Sequence, residues 1–129
     1  MTDDHKEYIK QWIEKAEHDV IAAETLIGVR PLILDVACFH CQQAVEKFLK
    51  AFLIFKGIEI ARTHDIVLLQ EQCSAIDTDF SDIDFKNLHT FAVDARYPDF
   101  ISPSIEETKE YLSIAKKIKE LVFSKVKFA

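Results

Sequence analysis

Glycine is nearly missing from this sequence, with two in 129 residues, and proline occurs three times. Sandwiches and small barrels need many turns, so this scarcity argues against them and for long uninterrupted helices. With two glycines, a glycine-rich phosphate cradle hardly fits either, and no P-loop pattern occurs. A basic excess is also missing: the formal net charge is −6 and the pI about 5.3. Nucleic-acid binders usually carry a basic footprint, so a whole-surface grip on RNA or DNA is not expected, while a local basic patch stays open. No apolar run approaches a membrane span, and the opening MTDDHKEYIK is too polar for a secretory leader. Three cysteines, an odd number without a leader, suggest free thiols in a reducing cytoplasm.

What is present is apolar and periodic. Hydrophobic residues make up 49% of the chain and include ten phenylalanines. That is enough for a core, and the simplest organisation is one helical domain over residues 1–129. Helix-period spacing recurs in five segments. The first runs roughly from Asp3 to Leu26, with Ile9, Trp12, Ile13, Ala16, Val20, Ala23 and Ile27 on one stripe and Gly28 at its end. The second runs roughly from Leu32 to Lys56, with Pro31 suited to its first position and Gly57 just past its end. The third, about His64 to Ala75, has Thr63 as the expected N-cap and Asp65 in its first turn. The fourth covers roughly Ser81 to Arg96, with Leu88, Phe91, Ala92 and Ala95 facing in; Pro98 disfavours helix at Tyr97. The fifth opens with the capping box SIEE, Ser104 to Glu107, and carries Tyr111, Ile114, Ile118, Leu121 and Val122 on its apolar face. Short connections between such elements predict an all-α protein, an antiparallel bundle of four to five helices.

The stretch CFHCQQAVEK, Cys38 to Lys47, invites a redox or metal reading. At about 100° per residue, Leu34, Cys38, Cys41, Val45, Phe48, Leu49, Phe52 and Phe55 share one broad arc. His40 points nearly opposite to Cys38, so these three do not share a metal. A haem anchor needs histidine directly after the second cysteine, where Gln42 stands. Both thiols are therefore expected in the core. His5, His18 and His89 lie on helices without a ligand pattern, so no metal is expected.

A second stripe of the same helix holds Val36, His40, Gln43, Lys47, Lys50 and Ile54. Two readings stand. It is a solvated face, with Glu46 and Lys50 an ordinary i,i+4 pair; or it is a functional groove or subunit seam. His40 suits a structural histidine bonded to a neighbouring helix, or a ligand-site residue. His64 suits a helix start. Arg96 and Tyr97 suit a helix end, or phosphate binding by the guanidinium. No Ser-His-Asp order stands out, and nothing identifies an enzyme by its own chemistry.

The segments FHCQQAVEKFLKAFLIFKG, then THDI, then ARYPD resemble the HEPN family (higher eukaryotes and prokaryotes nucleotide-binding domain). WIEKAEHDVIAAETLI is similar to that family's first helix, and the likeness covers about residues 8–122. Its specific elements are F-H-x-x-Q-A-x-E-K and the later T-H-D. The resemblance implies a bundle of four or five helices, usually dimeric. Family members often work beside a minimal nucleotidyltransferase as a toxin–antitoxin pair. Many are metal-independent ribonucleases with an R-x4-6-H motif. Here the matching region is Arg96-Tyr97-Pro98-Asp99-Phe100-Ile101-Ser102, which has no histidine at that spacing.

The expectation that follows is an interaction or nucleotide-binding module in the cytoplasm. It would be homodimeric, partnered by a nucleotidyltransferase, with no cofactor and no membrane contact. His40, Lys47, Arg96, Tyr97 and His64 are the candidate ligand- or phosphate-binding residues. The alternative is a ribonuclease toxin with a degenerate site, in which Arg96 holds phosphate and His40 or His64 acts as base on RNA. A third reading is a bare structural dimer.

Overall fold

The computed structural model describes residues 1–128, the side chain of Ala95 excepted. Four α-helices form it: α1 (Asp3–Ile27), α2 (Leu34–Phe55), α3 (Ile66–Ile76) and α4 (Ile105–Lys125). No strand occurs among the described residues.

Helix α2 is the axis of the bundle. Its apolar arc is wide because α1, α3 and α4 all pack against it. Cys38, Cys41, Val45, Phe48, Leu49, Phe52 and Leu53 are fully buried. Phe52 stacks on Phe80, with ring centroids 4.4 Å apart. Burying side chains of this size contributes about 1.5–3 kcal/mol each.

Helix α1 runs antiparallel to α2. His5 in its first turn bonds the carbonyl of Ile54 in the last turn of α2, at 3.0 Å. Helix α4 runs in the same direction as α2: Thr108 near its start meets Cys38, and Phe123 near its end meets Phe48. It is therefore antiparallel to α1, and Lys119 reaches Glu17 while Lys116 reaches Glu24. The long connection after α3 allows this, since it carries the chain back to the starting end.

Helix ends follow local chemistry. Ser104 and Glu107 form both halves of the expected capping box on α4. Gly57 follows α2 with φ 76°, a left-handed geometry that favours glycine. Two expected starts are corrected. Pro31 does not open α2, which begins at Leu34 behind Ile33. Leu32 and Ile33 are 42% and 39% exposed, so no burial rewards an extra turn there. Thr63 does not cap α3. Asp65 does, accepting from the N–H groups of Val67 and Leu68 at 3.0 and 3.1 Å, while Thr63 accepts from Asp65.

The expected fourth helix is absent. Ser81 to Arg96 instead holds short 3₁₀ turns at Leu88–Ala92 and Asp94–Arg96, after another at Thr78–Phe80. Asp84 accepts the Lys86 N–H at 2.8 Å, and Lys86 takes φ 56°. A side chain that bonds nearby backbone offers an alternative to the helix ladder, and here it ends the helix period. Leu88, Phe91 and Ala92 are buried as expected; the side chain of Ala95 lies outside the described residues.

All three cysteines are free and buried. Burial pushes the Cys38 thiol up to about 11, partly offset by its bond to Thr108, and the Cys73 thiol up to about 12. Burial raises Cys41 as well. The folded protein should therefore resist a disulfide reagent at neutral pH, and three thiols should react once it is denatured. A thiol raised in the folded state stays protonated while the unfolded one ionises, so stability falls as pH rises from about 8.5 towards 11. Cys38→Ala should flatten that alkaline slope in urea titrations. Phe52→Ala should cost about 3–5 kcal/mol in the same assay.

Candidate functional site

Two carboxylates organise the polar residues of α2. The first is Asp19, on the inner stripe of α1 and only 8% exposed. His40 and Lys47 stand two turns apart on α2 and close on it from both ends. The His40 Nδ1–H donates to Oδ1 at 2.9 Å, and Lys47 Nζ donates to Oδ2 at 2.6 Å.

The second is Glu46 on α2 itself, 3% exposed. Lys50, one turn on, donates to Oε2 at 3.0 Å, and the His64 Nδ1–H donates to Oε1 at 2.9 Å. Gln43 adds a longer bond at 3.4 Å. Gln42, fully buried, donates to the His64 carbonyl at 2.9 Å and accepts from Gln43 at 2.8 Å. Lys50 also lies over the Trp12 ring of α1, 5.5 Å from its centroid. The solvated-face reading is thereby overturned for Glu46 and Lys50. Their stripe faces α1 and the chain entering α3.

Such charges are costly to desolvate, by several kcal/mol each, unless a partner of opposite sign and further hydrogen bonds surround them. Here each buried carboxylate holds one lysine and one imidazole. Each imidazole donates Nδ1–H inward, which in the neutral ring places the acceptor at Nε2. His64 keeps 66% of its side chain exposed, and His40 29%.

The five candidates fall into separate places. His40 and Lys47 meet on Asp19. His64 joins α2 through Glu46. Arg96 belongs to neither group: it lines a cavity of about 240 Å³ with Asp35, Val36 and Phe39, over the first turns of α2. Val36 is one turn before His40, so Arg96 marks the amino-terminal end of the polar stripe. Among the described residues no carboxylate pairs with Arg96. Tyr97 follows it in extended geometry (φ −98°, ψ 141°), 59% exposed. No group of three His, Cys, Asp or Glu among the described residues stands together as a metal-ligand set.

Asp19 and the burial of Glu46 escaped the sequence reading. Asp19 did carry a signal: it lies three residues after Ala16 and four before Ala23, inside the apolar stripe of α1. A carboxylate in such a stripe needs partners from the helix it faces.

This is an all-helical bundle whose central helix carries neutralised charge. The HEPN domain family model matches residues 9–126, nearly the whole chain, and the chain belongs to that family. It is similar to a solved archaeal HEPN homologue, ST0689: 26% identity, TM-score 0.67, covering 92% of this chain and 98% of that one. It is also similar to the solved structure of TT1696 from Thermus thermophilus: 28% identity, TM-score 0.69, with the same coverage. No curated protein matches.

Glu46→Gln should leave the Lys50 ammonium nearly buried without its counter-charge. Removing one partner of a buried pair costs about 3–5 kcal/mol. Adding Lys50→Met should restore much of that loss, and urea unfolding of the two single variants and the double would measure the coupling.

Proposed function

We propose that this HEPN protein is a homodimeric, cytoplasmic interaction and nucleotide-binding module that acts with a minimal nucleotidyltransferase in a toxin–antitoxin-like pair. The observation that carries this is the stretch after Arg96. The family's ribonuclease motif needs a histidine with four to six residues between it and the arginine, and positions 101–103 hold Ile101, Ser102 and Pro103 instead. An arginine alone holds a phosphate, but cleavage at a 2′-hydroxyl also needs a group to accept its proton. Without that group, His40, Lys47, Arg96, Tyr97 and His64 read as contacts for a partner or ligand.

A second reading has one observation in its favour. Arg96 stands at the end of the stripe that holds His40, and the His40 Nδ1–H donates to Asp19, so that in the neutral ring Nε2 is the acceptor. A degenerate ribonuclease would use this pair.

Two measurements separate the readings. The purified protein should leave total RNA intact and should co-elute with a nucleotidyltransferase encoded beside it, at micromolar concentration with nucleotide present. RNA cutting that disappears in both His40→Ala and Arg96→Ala would establish the second reading instead. Absence of co-elution would remove the partner from the first.

A further inference from the structure

We infer that the groove between the first turns of α1 and residues 57–62 takes a proline-rich segment of a partner protein, held as a polyproline II helix. This contact is additional to the proposed function and rests neither on a nucleotide nor on the nucleotidyltransferase.

The groove has a volume of about 670 Å³. Its walls are built by the helix ends. His5 ties α1 to the Ile54 carbonyl at 3.0 Å, and the chain leaves α2 through left-handed Gly57 and passes along the groove to Arg62. Ile54, Ile60 and Trp12 pack in one apolar cluster and form part of the lining. Two further lining residues are open to solvent, Ile58 at 41% exposed and Tyr8 at 47%.

The lining offers a ligand no net charge. The Lys50 ammonium is neutralised by Glu46 at 3.0 Å. Arg62 and Glu59, both exposed, carry opposite signs. An ion gains little from such a lining, whereas an uncharged ligand with apolar bulk gains from its burial. The aromatic wall adds hydrogen-bond donors. The Trp12 indole N–H can only donate, and the Tyr8 hydroxyl can donate. Neither has a partner among the described residues, and Trp12 Nε1 is not a buried orphan, so it reaches solvent. The ligand that fits is therefore apolar, uncharged and richer in acceptors than in donors. Proline meets all three conditions, since it keeps its carbonyl and has no N–H. Every other residue brings a backbone donor with each acceptor.

The geometry agrees. Tyr8 and Trp12 stand one turn apart on α1, with ring centroids 6.2 Å apart and planes at 80°. A polyproline II helix rises about 3.1 Å per residue, so two residues span the two rings. It makes no internal hydrogen bonds, which leaves its carbonyls open to the donors of the wall. Its conformation is set before binding, so little ordering entropy is lost on an aromatic-lined surface. The segment comes from another protein: the three prolines here, Pro31, Pro98 and Pro103, stand singly.

Trp12 is the chain's only tryptophan, so its emission reports on this groove. Decaproline with capped ends is the probe. A capped glycine–serine decapeptide, with an N–H on every residue, is the control. Decaproline should change the emission saturably below millimolar concentration, and the control should bind at least about tenfold more weakly. Tyr8→Ala changes an exposed side chain; it should weaken binding about tenfold and leave the melting temperature unchanged. Raising the salt from about 0.05 to 0.5 M should change the affinity less than about twofold, because no charge is engaged. No saturable change at millimolar decaproline would overturn the inference. So would equal binding of the control, undiminished binding by Tyr8→Ala, or an affinity that falls steeply with salt. A Trp12 emission that shifts on diluting the protein alone, and no longer does so in Tyr8→Ala, would assign the groove to a second copy of this chain instead. Nucleotide binding and co-elution with the nucleotidyltransferase are separate measurements, so either fails or holds independently of this contact.

Discussion

The structure depends on one constraint: α2 must be surrounded on nearly all sides while carrying ionisable residues. Fifteen of its 22 residues are buried, among them Gln42, Glu46 and Lys50. A helix in that position admits charge only where its neighbours supply the opposite sign and enough hydrogen-bonding atoms. This determines which side chains surround it. Asp19 must face His40 and Lys47, the chain entering α3 must bring His64 to Glu46, and Trp12 must cover Lys50. The polar contacts of three elements follow from one helix.

The network also fixes register. An apolar helix interface tolerates small slides, because side chains of similar size can exchange places. The Asp19 carboxylate does not: one oxygen takes an imidazole and the other an ammonium, two turns apart on the facing helix. A slide of α1 by one turn would strand all three groups. In this fold the buried polar contacts thus set where α1 stops along α2, while the phenylalanines supply most of the burial. The two ends of α2 then differ in character. Its amino-terminal end meets the irregular segment with Arg96, and its carboxy-terminal end is tied to the start of α1 through His5 and the Ile54 carbonyl.

Much of the fold was legible in the sequence, because long elements leave long patterns. The spacing of Ile9, Ala16, Val20 and Ala23 and the arc from Leu34 to Phe52 depend on periodicity alone, and burial follows them. The cysteines were placed by the same wheel. The stretch 81–96 was misread because its apolar residues also fit a helix; what decided it was the local bond from Asp84 to the backbone of Lys86, a contest that periodicity does not register. Thr63 and Asp65 both suit a cap, and their difference of two residues is set by where Ile66 becomes buried. The site was less legible for a different reason. His40, Lys47 and His64 were visible as residues, but their partners lie on other elements, 21, 28 and 18 positions away in the chain.

The turns that carry Arg96 give the fold a freedom its helices lack. Val93, Tyr97 and Ile101 are 52%, 59% and 88% exposed, and Asp94–Arg96 is a single 3₁₀ turn. Apart from Phe100, whose ring packs edge-on against Phe91, little of the interior rests on the side chains described there. A histidine gained at an exposed position such as Ile101 would leave the bundle's stability almost untouched, so chemistry at this edge can drift over generations without the scaffold having to be rebuilt.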